Sequence, residues 1–323
     1  MTTPLSFGLI GAGWIGGFHA ETLADRLPDV RLAAVADPDP AAAAGLNAPR
    51  TYRDPLELIA DPSIDAVAIS SPAATHADLV VAAARAGKHV FCEKPMALTL
   101  EDADRAIAAA HNAGVALQVG FNRRFADDFA AMRSKIADGA IGMPQLLRSL
   151  TRDPGITADV AARVKPWTIF NETLIHDFDT LCWLNPGARV TQVFAQADAL
   201  IHPEFRDSGF LDTAVVQLRF DNRAFAVAEA SFQAVYGYDV RGEVFGSDGV
   251  LLAGRAPDRA ATGNTDLFAD AYVAQFAHFA ECVRTRTEPS VTGNDARVAL
   301  DIAIAARESV QTGAPVVLNG VLQ

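Results

Sequence analysis

Three groups of residues in this chain have the types and spacing that chemistry needs. Lys94 stands between Glu93 and Pro95, directly after a short apolar run at 89–92. Proline holds the residue before it in an extended backbone. That places the lysine at the carboxyl end of a strand, where an ammonium can be partly desolvated and serve as an acid, a base or a polariser of a hydroxyl. A surface lysine paired with Glu93 fits the position equally well. The second group is Glu172, His176 and Asp179. On a helix they share one face, which Trp183 continues, while Leu174, Ile175, Phe178, Leu181 and Cys182 line the other. A glutamate four residues before a histidine can hold its ring, and histidine is the natural acceptor for the proton of a hydroxyl being oxidised. Taken alone, a solvated polar face is the better account of this pattern. No recognised ligand spacing supports a metal there or elsewhere in the chain.

The third group is Gly11, Gly13 and Gly16, in the stretch Phe-Gly-Leu-Ile-Gly-Ala-Gly-Trp-Ile-Gly at 7–16. An apolar strand precedes these glycines and a helical pattern follows. The first glycine permits the tight turn, the second lets the backbone approach a pyrophosphate, and the third lets helix and strand pack closely. The helix N-terminus offers N–H groups and a positive dipole end to phosphates. Asp37 ends a second strand over 31–36, where a carboxylate binds both adenosine ribose hydroxyls and repels a 2′-phosphate. The expected cofactor is therefore NAD rather than NADP; a generic strand–helix turn is the bland alternative.

These residues need a scaffold, and the chain in order supplies one. Strands at 7–10, 31–36, 66–70, 89–92 and 115–119 alternate with helices at 41–45, 55–60, 76–86 and 100–112; Thr99 is expected to cap the last. Strands joined by helices imply parallel pairing with right-handed crossovers, a doubly wound sheet. Ligands of such sheets lie beyond the carboxyl ends of the strands, where Ser70-Ser71-Pro72, Glu93-Lys94-Pro95 and Gly120-Phe121-Asn122 fall. Trp14, Ile15, Ser71, Pro72, His76, Glu93 and Lys94 accordingly join the glycines and Asp37 as expected cofactor contacts. After Phe121 the pattern becomes α+β. A helix at 127–137 is followed by strands at 145–151, 189–200, 213–220, 224–232 and 239–245, with Asp221-Asn222 as a hairpin turn, then helices at 267–284 and 294–311. The expected domains are 1–121, an NAD-binding Rossmann domain, and 122–323, a substrate and oligomerisation domain with an open, mainly antiparallel sheet. No second long helical layer covers that sheet, so a homodimer or homotetramer through it is expected.

Composition narrows the partners. The chain has 323 residues, half of them hydrophobic, and a formal charge of −12. That balance argues against nucleic acid or an anionic membrane as partner. Residues 1–6 lack the basic start and apolar core of a leader, and no apolar run approaches a membrane span. Cys92, Cys182 and Cys282 are odd in number and far apart, which suits reduced thiols in a cytoplasmic protein. Of the other histidines, His19 reads as a packing or capping residue, and His89, His111, His202 and His278 have no local partner pattern. Tyr236-Gly237-Tyr238 reads as a hairpin or bulge with surface aromatics.

With these motifs assembled, the chain resembles the Gfo/Idh/MocA oxidoreductase family over nearly its full length. The segments that carry the likeness are Gly11-Ala12-Gly13-Trp14-Ile15-Gly16, the run from Gly87 through Glu93-Lys94-Pro95, Gly120-Phe121-Asn122-Arg123-Arg124-Phe125, Ile175-His176-Asp177-Phe178-Asp179 and Tyr236-Gly237-Tyr238-Asp239. The last three look most like the inositol 2-dehydrogenase branch. The resemblance implies a catalytic lysine at Lys94 and a catalytic histidine at His176. It implies that Glu172 orients His176, and substrate contacts at Lys94, Glu172, His176, Asp179, Tyr236, Arg123 or Arg124, and Asp153 in the stretch Thr151-Arg152-Asp153-Pro154. Trp167 is either a wall for a sugar ring or core. In that branch an aspartate stands where this chain has Glu172. The extra methylene shifts the carboxylate in a geometry that tolerates about 0.5 Å. The implied activity is hydride transfer from a secondary hydroxyl of a cyclic polyol or sugar to NAD. A dehydrogenase or keto-sugar reductase acting on a non-inositol pyranose, and an NAD-binding sensor without turnover, are the alternatives.

Overall fold

The computed structural model describes residues 4–254 and 264–318. Residues 1–3, in the segment read for a leader, and 319–323, the end of the expected second domain, lie outside them. In chain order the first elements are β1 (Leu5–Ile10), α1 (Trp14–Glu21), β2 (Val30–Ala36), α2 (Pro40–Gly45), β3 (Thr51–Tyr52), α3 (Pro55–Ala60), β4 (Ala66–Ile69), α4 (His76–Arg85), β5 (His89–Cys92), α5 (Leu100–Ala113) and β6 (Leu117–Val119). There follow α6 (Asp127–Ala137), β7 (Pro144–Arg152), α7 (Ala158–Ala161), α8 (Ile175–Trp183), β8 (Val190–Asp198), β9 (Thr213–Phe220), β10 (Phe225–Ser231), β11 (Asp239–Gly246), β12 (Val250–Ala253), α9 (Asn264–Leu267), α10 (Ala269–Thr285), α11 (Gly293–Thr312) and β13 (Val316–Val317). They fall into two compact units: Met1–Asn122 with Asp270–Arg297, and Arg123–Ala269 with Val298–Gln323.

The first unit holds a six-stranded parallel sheet in the order β3-β2-β1-β4-β5-β6. The inner strand β4, Ala-Val-Ala-Ile, is a continuous apolar run buried on both faces, as a helix-covered parallel sheet requires. Local chemistry starts the helices. Asp39 and Asp54 accept backbone N–H groups of the first turns of α2 and α3, each followed by proline at the first helical position. Thr99 caps α5 by accepting the Asp102 N–H, and Gly114 ends that helix at φ 65°. One boundary differs from the expectation. The helix read into the second domain, α10, packs in the first unit, where Phe276 and Phe279 meet Phe7, and Phe276 also meets Phe91, with ring centroids 4.2–6.0 Å apart. A sheet with two apolar faces needs cover on both, and the chain returns late to supply part of it.

The second unit holds a seven-stranded sheet in the order β12-β11-β7-β10-β9-β8-β13. All its pairings are antiparallel except β7 with β10. These two are far apart in sequence, so no tight turn dictates their direction. The β9–β10 hairpin spans 221–224, with Arg223 at φ 74° and the Asn222 side chain accepting the Ala224 N–H. Along β9, Ala214, Val216, Leu218 and Phe220 point inward while Val215, Gln217 and Arg219 point outward. Helix α8 lies against β7 and β10, and Ser309 of α11 accepts the Ala195 N–H of β8. The short β12 and β13 lie beyond the expected strand set.

Candidate functional site

The glycine loop joins β1 to α1, and each glycine occupies the environment its role requires. Gly11 has φ 99°, and a side chain there would meet the Ser70–Ser71 peptide at 2.6–2.8 Å. A Cβ on Gly16 would fall 2.0 Å from the Gly11 carbonyl oxygen. Gly13 differs: apart from its own chain neighbours, no atom of the described residues lies within 4 Å of where its Cβ would be. The space in front of Gly13 therefore belongs to whatever approaches the N-terminus of α1, and Trp14 beside it is 67 % exposed. Ile15 is half-buried. This cradle fits a dinucleotide pyrophosphate. Asp37 stands at the end of β2; its carboxylate accepts the Ala12 N–H and the Asp39 N–H, both at 2.8 Å. It thus braces the loop while retaining lone pairs for ribose hydroxyls. Ser70, which sequence reasoning did not single out as a contact, donates to the Gly11 carbonyl at 2.9 Å and ties β4 to the turn.

The next strand ends carry the lysine. The Lys94–Pro95 peptide is cis. His76, expected as a cofactor contact, is buried and spends both ring nitrogens on backbone: Nδ1 lies 2.8 Å from the Pro95 carbonyl oxygen and Nε2 2.7 Å from that of Ser71. It clamps the Ser71-Pro72 turn to the segment after Lys94. Ser71 also pairs with Thr75, and Pro72 is exposed. Glu93 likewise turns inward, with its carboxylate 2.7 Å from Nε2 of His19. The surface Lys94–Glu93 pair is thereby replaced by a buried glutamate at a half-buried lysine. Burial raises the Glu93 carboxyl; the His19 hydrogen bond and charge, with the Lys94 charge, outweigh it and hold the group below its ordinary range.

In the second unit, the expected helical face through Glu172, His176 and Asp179 is corrected. Residues Ile169–Thr173 form a π-helical turn, closed by the Leu174 N–H on the Ile169 carbonyl at 2.8 Å, before regular α8 begins. The extra residue in that turn breaks the even spacing. Glu172 is exposed, whereas His176 is 5 % exposed and Asp179 is buried. The solvated-face reading therefore fails. Arg124 grips Asp179 with Nε and Nη2 at 2.9 and 2.5 Å, its guanidinium 5.7 Å from the Trp183 ring centre. Arg123, expected to touch substrate, is instead buried. Its guanidinium meets the Asp177 carboxylate at 2.8 Å and Thr151 at 2.5 Å. Ser149 and Thr151 of β7 donate to the same carboxylate at 2.5 and 2.6 Å.

Asp177 is the residue the sequence reading undervalued, and its place among buried neighbours in His-Asp-x-Asp was the available signal. Tyr238, read as a surface aromatic, is buried beside this cluster. Burial first, then the Asp153 and Asp177 carboxylates, push its phenol up, while Arg123 opposes them. Tyr236 accepts from Arg152 and donates to Asp239, both at 3.2 Å. Trp167 stacks on Phe170 with centroids 6.4 Å apart. No group of three or more His, Cys, Asp or Glu that could hold a metal occurs among the described residues.

Comparison with known proteins adds to this geometry. The model described as oxidoreductase family, NAD-binding Rossmann fold, matches residues 5–121, and that of the GFO/IDH/MocA C-terminal domain matches 129–252. Myo-inositol 2-dehydrogenase of Thermotoga maritima is 38 % identical over 98 % of this chain and 100 % of its own. The NAD(+)-dependent scyllo-inositol 2-dehydrogenase of Bacillus subtilis is 36 % identical over 96 % and 95 %. A solved structure of myo-inositol dehydrogenase from Lactobacillus casei in complex with NAD(H) and myo-inositol is similar at a TM-score of 0.89 and 26 % identity, covering 99 % of this chain and 98 % of that one.

Proposed function

The chain belongs to the GFO/IDH/MocA oxidoreductase family, and we propose that within it the protein is an NAD-dependent dehydrogenase of a cyclic polyol, of inositol 2-dehydrogenase type. The observation that carries this is the glycine cradle, open only in front of Gly13 and braced by Asp37, with Lys94 at a strand end of the same sheet. NAD, when bound there, supplies the hydride acceptor. Gly11, Gly13 and Gly16 with the first turn of α1 hold its pyrophosphate, and Asp37 its adenosine ribose. Lys94 donates a hydrogen bond from Nζ to the reacting hydroxyl oxygen and stabilises the developing alkoxide. His176 accepts the hydroxyl proton on a ring nitrogen. Glu172 orients His176 and, with Tyr236 and Asp153, binds substrate hydroxyls. Arg123 and Asp179 act through the buried pairs they form.

The names of the relatives support inositols as the substrate class. The test is NAD reduction by the wild type and Lys94→Ala across myo-inositol, scyllo-inositol, pyranoses and anhydrosugars; near-native turnover of the variant on the best substrate refutes the role of Lys94. If Lys94 and His176 act on one oxygen, the double alanine variant loses little more rate than the worse single variant. The exposed Glu172 on its π-helical turn favours one second reading, an NAD-binding protein without turnover. Tight NAD binding with no activity on the whole panel would select it.

The same reading includes a homo-oligomer through the open sheet. Val250, Phe245, Leu146 and Phe225 are successive cross-strand neighbours on its outer face, each about half-exposed, and form an apolar row. Sedimentation of the wild type against Phe225→Lys tests this: a dimer or larger for the first and a smaller species for the second is expected. Three cysteines without a disulfide suit a reducing cytoplasm. No helix among the described residues is long and apolar enough to cross a membrane.

A further inference from the structure

We propose that His19 is a positioning residue for Lys94, acting through the buried carboxylate of Glu93. The proposal rests on the assignment of Lys94 to the reacting oxygen. His19 lies on the inward face of α1, three residues beyond Gly16, so it belongs to the helix whose N-terminus faces the cofactor. Its ring is fully buried within a cage of Phe18, Phe91, Tyr272 and Phe276, at centroid distances of 4.9–6.5 Å. An apolar cage of this kind would hold a phenylalanine or leucine with less cost than a polar ring.

The polar ring has one partner. Nε2 lies 2.7 Å from Oε1 of Glu93, whereas Nδ1 has no hydrogen-bond partner among the described residues. A carboxylate accepts, so Nε2 carries the proton and donates. The other carboxylate oxygen of Glu93 accepts the backbone N–H of Lys94 at 3.2 Å. Gly120 closes the far side, since a Cβ there would come within 3.0–3.1 Å of the carboxylate. Glu93 therefore sits in a fitted slot, oriented by His19 on one oxygen and holding the lysine backbone with the other. Its negative charge is set beside the Lys94 side chain.

The consequence is a mechanical link within the first unit from the glycine-loop helix to the lysine. It fixes where the ammonium is presented relative to the cofactor cradle. A group held through such a support loses rate rather than affinity when the support is removed, because misplacement by about 1 Å costs up to about 100-fold in the chemical step.

The test compares His19→Phe, which fills the cage without a donor, with His19→Gln, which keeps an N–H near the Nε2 position. Turnover, NAD affinity by fluorescence titration and the isotope effect with substrate deuterated at the reacting carbon are measured for each. For His19→Phe we expect kcat to fall about tenfold or more, with NAD affinity within about twofold of wild type and a larger isotope effect; His19→Gln restores most of the rate. Unchanged kcat in His19→Phe overturns the proposal, as does a parallel loss of NAD affinity, which marks a role confined to packing α1. If His19→Phe does not fold, Glu93→Gln serves: lowered kcat with retained NAD affinity supports the link, and unchanged kcat overturns it. Near-native activity of Lys94→Ala would remove the underlying assignment, whereas an inactive Lys94→Ala beside a fully active His19→Phe removes only this inference.

Discussion

The Arg123 guanidinium and the Asp177 carboxylate lie 2.8 Å apart with 2 % and 0 % of their side chains exposed. The carboxylate also takes hydroxyl donors from Ser149 and Thr151, so its acceptor capacity is met inside the second unit. Two side chains taken so far out of water are tolerable only together. Replacing Arg123 with leucine strands the aspartate, and a loss of about 3–5 kcal/mol in unfolding free energy is expected. The Arg123→Leu/Asp177→Leu double variant is expected to be more stable than Arg123→Leu alone. Urea unfolding of the three proteins checks both statements.

The glycine loop separates two kinds of defect. Gly16→Ala drives a methyl against the Gly11 carbonyl, so stability is expected to fall by about 1–3 kcal/mol. Gly13→Ala places its methyl in open space and leaves the melting temperature of the ligand-free protein unchanged within error. It weakens NAD binding instead, because the methyl occupies the approach of the pyrophosphate. Thermal melts with and without NAD distinguish the two.

Asp37 has a bracing role as well as a charge, and Asp37→Asn divides them. The amide retains an acceptor for the Ala12 N–H. It removes the repulsion of a 2′-phosphate, worth about 1–4 kcal/mol near a protein surface. The NADP-to-NAD ratio of kcat/KM is expected to rise about tenfold or more. A wild-type enzyme already preferring NADP would contradict the assignment of Asp37.

Asp61 sets an acid limit for the first unit. The Ser63 backbone N–H bonded to its carboxylate, the Ser63 and Tyr52 hydroxyls and the Arg50 charge together hold it to about 2, against the opposing effect of burial. A carboxyl lower in the folded than in the unfolded chain stabilises fully above about pH 4, the unfolded value. That contribution is lost as pH falls toward 2. Asp61→Asn is therefore expected to flatten the loss of stability between about pH 4 and 2. Denaturant midpoints measured across that window give the slope.

Much of this protein follows from local sequence alone. The spacing of Gly11, Gly13 and Gly16, the apolar strand before them and the acid at Asp37 mark a dinucleotide cradle in the sequence pattern itself. Thr99, Asp39 and Asp54 start helices by bonds that span two or three residues. Alternating and continuous apolar runs separate the parallel from the mainly antiparallel sheet.

The tertiary structure decided the fate of the buried polar side chains. His19 meets Glu93 from 74 positions away, and Arg123 meets Asp177 from 54. His76 reaches the Pro95 carbonyl only once β4 and β5 lie side by side. The place of α10 was equally hidden, because an amphipathic pattern records that a helix face is buried but not against which sheet. Burial makes an unpaired polar group costly, and the partner that removes the cost comes from whichever segment the fold brings near. No spacing rule along the chain contains that information. This is why Glu172 and His176, four residues apart, differ so much in exposure, and why a histidine read as packing emerges as the support of the lysine.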